Sequence, residues 1–292
     1  MHFGITIPPF ADFFDPRALA EAARDAETAG WDGFFIWDHI LFGPIPVADP
    51  WVALTAIALN TERIRIGPLV TPLPRRRPTK LARETLSLDH LSDGRLILGV
   101  GIGNFAWEWE YLGEEPNLKT RGAMLDEGLE VLTQLWSGEP FQHHGQHYTV
   151  EGELPDGSRS AQFVPAARQS PRIPIWVAGT WPNKPPFRRA ARWDGVIPMK
   201  ADGSMIMPTE LREIVGYLKE HRASADPFDV VCGGATPGDE PTKAAEIVAS
   251  YAEAGLTWWL EGIDPWRYGW QWEGAWPVAQ MRERIRQGPP RM

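Results

Sequence analysis

Eight strand-like runs alternate with eight helix-like stretches along this chain of 292 residues, and that rhythm limits its possible folds more than any other property. Strands are predicted over Phe3–Ile7, Gly33–Trp37, Arg63–Val70, Arg95–Val100, Ile173–Ala178, Gly195–Ile197, Phe228–Cys232 and Leu256–Leu260, all short and apolar. Helices are predicted over Pro16–Ala29, Pro50–Leu59, Pro78–Leu91, Thr120–Trp136, Phe187–Arg192, Pro208–His221, Pro241–Ala254 and Ala275–Arg286. The stretch from Thr120 carries Met124, Leu125, Leu129, Leu132 and Leu135 at spacings of three and four, the apolar stripe of a helix. Asp49 before Pro50 reads as a helix start, and Gly30, Gly94 and Gly255 read as helix ends. Apolar strands separated by amphipathic helices call for a parallel sheet covered by helices. Eight such units match a (β/α)8 TIM barrel, whose usual size is about 250 residues. The rival is a doubly wound open sheet, which expects a glycine-rich turn after the first strand. Ile7-Pro8-Pro9-Phe10 stands there instead. The expected fold is one α/β barrel domain over residues 1–292. An insertion at about 137–171, between the fourth helix and the fifth strand, loses the helical period to Gly, Pro, His and Asp.

Composition narrows the function classes. A hydrophobic content of 43% supplies a sizeable core. No apolar run approaches the roughly 18 residues of a membrane span, and the first residues show no basic leader or apolar segment of a secretion signal. The lone Cys232 suits a reducing cytoplasm. A formal charge of −9 argues against general nucleic-acid binding. Arg75-Arg76-Arg77 reads as a solvated basic loop.

In a parallel barrel, ligand chemistry collects at the C-terminal ends of the strands. Asp38 and His39 end the second strand there, as an acid–imidazole pair for proton transfer or as a loop cap and a structural histidine. Thr71 and Pro72 follow the third strand. Gly101, Ile102, Gly103 and Asn104 follow the fourth, where glycine lets a ligand lie against backbone. Ala178, Gly179, Thr180, Asn183 and Lys184 follow the fifth, where a helix start reads as a phosphate site or as an ordinary loop. Trp107 and Trp181 suggest walls for an apolar or aromatic substrate, together with Trp109, Trp266 and Trp270. The histidines His143, His144 and His147 in the insertion read as solvated loop residues rather than metal ligands, since no carboxylate or cysteine cluster accompanies them in sequence.

Several local patterns together resemble the luciferase-like flavin- and F420-dependent oxidoreductases. They are Ala29-Gly30-Trp31-Asp32-Gly33-Phe34-Phe35-Ile36-Trp37-Asp38-His39, Thr61-Glu62-Arg63-Ile64-Arg65-Ile66-Gly67 and Leu91-Ser92-Asp93-Gly94-Arg95-Leu96-Ile97-Leu98-Gly99-Val100-Gly101. Glu108, Trp109 and Gly113 follow at the family's spacing, and Ala190-Ala191-Arg192-Trp193-Asp194-Gly195 continues the match. The resemblance implies a TIM barrel binding FMN or coenzyme F420. It places His39 beside cofactor or substrate, Thr71 and Pro72 behind the ring, and Ile102 to Asn104 on its other side. It assigns Gly179, Thr180, Asn183 and Lys184 to the cofactor phosphate, and it raises a homodimer as the expected assembly. The insertion, with Phe141, His143, His144, His147 and Tyr148, is expected to cover the site, and Arg75-Arg76-Arg77 to meet the anionic tail of F420. Asn104 departs from the family's sugar-phosphate dehydrogenases, which the resemblance gives a catalytic acid at that position. A non-catalytic ligand-binding barrel and a metal-independent hydrolase or aldolase are the alternatives.

Overall fold

Proline-led, aspartate-capped helices and buried apolar strands take the order that the punctuation of the sequence implies. The computed structural model describes residues 1–153, 156–157 and 160–291. In chain order the first half contains β1 (His2–Ile7), α1 (Pro16–Ala29), β2 (Gly33–Ile36), α2 (Pro50–Asn60), β3 (Arg65–Pro68), β4 (Thr71–Pro72), α3 (Pro78–Leu91), β5 (Leu98–Gly101), α4 (Ala106–Tyr111) and α5 (Leu118–Trp136). The second half contains β6 (His143–His144), β7 (Thr149–Val150), β8 (Ile175–Trp181), α6 (Lys184–Ala190), β9 (Gly195–Lys200), α7 (Pro208–His221), β10 (Asp229–Gly234), α8 (Pro241–Glu253), β11 (Trp258–Gly262) and α9 (Val278–Arg286). Side-chain oxygens of Asp15, Asp49 and Asn117 accept backbone N–H groups of the first turns of α1, α2 and α5. The Asn117 cap starts α5 two residues before the expected Thr120.

One parallel sheet runs β3-β2-β1-β11-β10-β9-β8-β5-β4. β3 and β4 are two pieces of the third barrel strand, parted at Leu69-Val70, whose peptide bond is cis. The ring closes below that break, where Ile66 N–H donates to Arg95 O at 3.1 Å and Ile97 N–H to Ile66 O at 2.9 Å. Gly67 lies at this seam, and a Cβ there would overlap the Ile97 carbonyl oxygen. Only glycine allows so close an approach. Eight barrel strands result, as the alternation of the sequence implies.

Phe35, Ile97, Trp176, Val231, Trp258 and Leu260 are buried together as one cluster inside the barrel. Outside it, α5 buries Leu125, Leu129, Leu132 and Leu135. Each fully buried side chain of this kind contributes about 1.5–3 kcal/mol by the hydrophobic effect.

The insertion takes a place that its sequence did not disclose. β6 and β7 form an antiparallel hairpin. On α5, Glu127 accepts hydrogen bonds from Tyr148 N at 2.7 Å, His147 N at 3.0 Å, Gln146 N at 3.1 Å and the His143 ring at 3.1 Å. Further along, the Arg83 guanidinium of α3 lies 4.4 Å from the Phe163 ring centre, and Asp89 accepts from Arg168 N and Gln169 N. These contacts lay the described residues of the insertion that make them along α3 and α5, not across the strand ends as expected; residues 154–155 and 158–159 lie outside the described residues. A half-buried carboxylate that accepts from several of a loop's amides holds that loop to the helix that carries it.

Candidate active site

His39 follows β2 at the C-terminal end of the barrel, and a carboxylate other than its sequence neighbour holds it. His39 Nδ1 lies 3.1 Å from Oε2 of Glu108, on α4. Glu108 is buried, and its Oε1 also accepts from Ile40 N at 2.8 Å and Leu41 N at 3.1 Å. Arg75 Nη1 lies 3.0 Å from the same oxygen. Burial works against the Glu108 anion, but the His39 hydrogen bond and charge and the two amides prevail, lowering its pKa to about 2. An ionised carboxylate only accepts, so His39 Nδ1 carries the proton donated to it, and Nε2 is the nitrogen that holds the lone pair whenever the imidazole is neutral.

Asp38 does not serve His39. Its fully buried carboxylate accepts from Thr71 Oγ1 at 2.8 Å and from Arg76 Nη2 at 2.7 and 2.9 Å. Burial pushes its pKa up, against the Arg76 charge and the Thr71 hydroxyl. The pair therefore ties the end of β2 to β4 and to the loop after it. Thr71 is buried with its hydroxyl committed to Asp38, so what it can offer a ligand there is its backbone.

Arg75 and Arg76 face inward, which corrects their reading as a solvated loop. Arg75 Nε donates to Glu114 at 2.7 Å, and its guanidinium lies 4.4 Å from the ring centre of Trp109. Buried Arg121 lies 4.1 Å from the same ring centre. Arg75 Nη2 and Arg121 Nε and Nη1 have no hydrogen-bond partner among the described residues. Trp109 is thus clasped by guanidinium groups and is no substrate wall. Only Arg77 of the three arginines is exposed, and the tail-binding argument for F420 loses the other two.

The strand ends bring several candidates together. Thr71 pairs in register with Val100, and Pro72 with Gly101. A Cβ on Gly101 would stand 2.9 Å from Val70 Cγ2 and 3.6 Å from Ala178 Cβ, so these three residues are neighbours. Gly103 has φ +82°, and a Cβ there would overlap the Trp109 indole. Ile102 packs on the core and Asn104 is exposed. Gly179 packs against Pro186 and Phe187, and Asn183 N–H donates to Thr180 O at 3.0 Å. α6 begins Lys184-Pro185-Pro186, so two of its first three positions have no N–H to offer a phosphate. Lys184 Nζ instead sits 3.6 Å from the ring centre of Trp181 and 4.5 Å from that of Tyr217.

Trp107 and Trp181 do not form one wall. Trp107 packs with Phe42, Phe105 and Tyr111, whereas Trp181 packs with Phe187 and Tyr217. Sequence reasoning did not give Glu108 a role, although the alternation Trp107-Glu108-Trp109-Glu110 marked an acid among aromatics. Among the described residues, no group of three or more His, Cys, Asp or Glu is arranged to hold a metal ion. No described helix is long and apolar enough to cross a membrane.

Comparison with known proteins adds three findings. The family described as luciferase-like monooxygenase matches residues 1–291. An F420-dependent glucose-6-phosphate dehydrogenase from Nocardia farcinica is 33% identical over 262 residues, 85% of this chain and 73% of that protein. Matches to other proteins of that name span as little as 43% of their length. Among solved structures, the monooxygenase RslO1 from Streptomyces bottropensis superposes with a TM-score of 0.78 at 19% identity, covering 98% of this chain and 97% of that one. The oxygenating constituent of 3,6-diketocamphane monooxygenase from Pseudomonas putida, solved with FMN, gives 0.64 at 21% identity, over 80% of this chain and 67% of that one. At these identities the structures show the shared barrel.

Proposed function

The chain belongs to the luciferase-like monooxygenase family, and from that premise we propose that it is an oxidoreductase using F420 or FMN on a small organic substrate. The observation that carries this reading is the His39–Glu108 pair at the C-terminal mouth of a luciferase-like barrel, at 3.1 Å. One feature fits a flat cofactor: Gly101 keeps the junction of Val70 and Ala178 free of a side chain. Ile102, Gly103 and Asn104 would line one side of the ring, with Thr71 and Pro72 behind it. Ala178, Gly179, Thr180, Asn183 and Lys184 would hold the phosphate end. When bound, the cofactor supplies the hydride or the activation of oxygen.

The protein's own part is orientation, proton handling and exclusion of water. Ionised Glu108 fixes the imidazole tautomer, leaving His39 Nε2 to accept a proton from the substrate or to hydrogen-bond to the cofactor. Asp38, held by Arg76 and Thr71, keeps the loop that carries His39 in place. The F420 dependence of the Nocardia relative favours F420. Its sugar-phosphate substrate is not carried over, because exposed Asn104 lacks the acid that the family resemblance expects there. Titration of the purified protein with F420 and with FMN tests the reading. Saturable binding of one with a spectral change supports it, and binding of neither overturns it.

We also propose a homodimer joined through α2, which carries no charged residue from Pro50 to Asn60. Its exposed Val52 and Leu59 lie seven residues apart on one face. An antiparallel α2 from a second copy would set Val52 against Leu59 in both directions, the self-complementarity that a two-fold contact requires. The buried, unpaired Cys232 supports a cytoplasmic setting.

A further inference from the structure

Aromatic side chains from three loops and a strand end meet beside His39. Trp37, the first residue after β2, lies parallel to Trp266 at 8°, with ring centres 6.1 Å apart. Phe42, on the loop after β2, lies 5.8 Å from Trp272 at 18°. Phe105, after β5, is stacked on Trp107 at 5.6 Å and lies 5.3 Å from the His39 ring. Phe42 belongs to the core, and Trp37, Phe105 and Trp266 pack against it, but core packing leaves part of this set open to solvent. Trp37, Phe105, Trp107 and Trp266 are only partly buried, and Trp272 is 62% exposed. Trp272 also has φ +65°, a left-handed conformation uncommon for a bulky side chain. Such conformations persist where surrounding structure enforces them, and they cluster at ligand clamps. Here Asp264 accepts from Arg267 N at 3.0 Å, and Arg267 Nη1 lies 2.5 Å from buried Glu261, fixing the start of the loop that carries Trp266 and Trp272.

The charges beside this face are already committed. Arg75 faces Glu108 and Glu114, Arg76 faces Asp38, and Arg267 faces Glu261. A phosphorylated substrate would find none of these three cations free. An aromatic ring finds faces and edges at several angles and an imidazole at their centre, and offset or edge-on pairs add about 0.5–1.5 kcal/mol each beyond area burial.

We propose that this face is a stacking site for the flat, uncharged aromatic ring of the substrate, with Trp266 and Trp37 as its platform and Trp272 as its outer clamp. The proposal rests on the oxidoreductase reading for its role in turnover but not for binding. Calorimetric titration of the full chain without cofactor, using 2-naphthol, cyclohexanol and glucose 6-phosphate, tests it. The expected result is saturable 2-naphthol binding at least about tenfold tighter than that of either other probe. Trp266→Leu should weaken 2-naphthol binding about three- to tenfold. Trp272→Ala alters an exposed side chain, so it reports on the clamp even if Trp266→Leu fails to fold, and the same direction is expected. Equal affinity for 2-naphthol and cyclohexanol, tighter binding of glucose 6-phosphate, or wild-type affinity in Trp272→Ala overturns the proposal. Selective 2-naphthol binding in a protein that takes neither F420 nor FMN overturns the oxidoreductase reading and leaves this one standing. Cofactor binding without aromatic preference does the reverse.

Discussion

At the residue scale the decisive side chain is Glu108. It serves the His39 ring, two backbone N–H groups and the Arg75 cation at once. Glu108→Gln keeps the shape but removes the charge and offers a donor where only an acceptor fits. We expect kcat to fall about ten- to a hundredfold with KM within about threefold, and His39 NMR signals to show a changed tautomer. Stability follows by linkage. The folded Glu108 pKa of about 2 lies below its ordinary 4.5, so its contribution is full above that ordinary value and is lost as pH falls towards 2. Across that window the wild type should lose about 3 kcal/mol more than Glu108→Gln, as measured by denaturant titration. Gly103 sets a second constraint. Gly103→Ala places a methyl on the Trp109 ring at a positive φ, and a loss of roughly 2–4 kcal/mol is expected in the same titration. His39 was legible because an apolar run ends on it. Glu108 was not legible as its partner, because 69 residues separate them and only the closed barrel brings them together.

At the element scale, the parts announced by chemistry were legible and the parts defined by packing were not. α1, α3 and α7 match their expected limits, with proline at their first positions and apolar stripes behind. α4 escaped notice because Trp107-Glu108-Trp109-Glu110-Tyr111 alternates polar and aromatic residues, a period of two that reads as strand. Burial of Glu108 and Trp109 on one side decides for helix. The insertion misled for the reverse reason. Its histidines and glycines read as a cover, yet Glu127, which belongs to the preceding helix, gathers its amides. Removing that carboxylate in Glu127→Ala should release the hairpin, raising the rate of proteolytic cleavage between residues 139 and 150 severalfold. Turnover should stay within about twofold, which separates an outer brace from a lid over the site.

At the scale of the whole molecule, the proposed dimer makes a mass prediction. Light scattering should give twice the 32.7 kDa of one chain. Val52→Glu with Leu59→Glu sets like charges against each other and should return the mass of one chain without loss of helical circular dichroism. The wild type scattering as one chain would remove the α2 interface. The origin of the site's parts carries one more consequence. The proton-handling pair comes wholly from the first half of the barrel. The clamp that carries Trp266 and Trp272 comes from the last strand and holds its own footing through Glu261, Arg267 and Asp264. The two halves meet where Trp266 lies against Trp37 and Trp272 against Phe42, so a clamp exchanged between paralogues, by recombination or in a laboratory library, must keep faces that fit those two fixed rings. A segment of about a dozen residues after β11 is then the part of the site that can vary while the acid–base pair stays as it is.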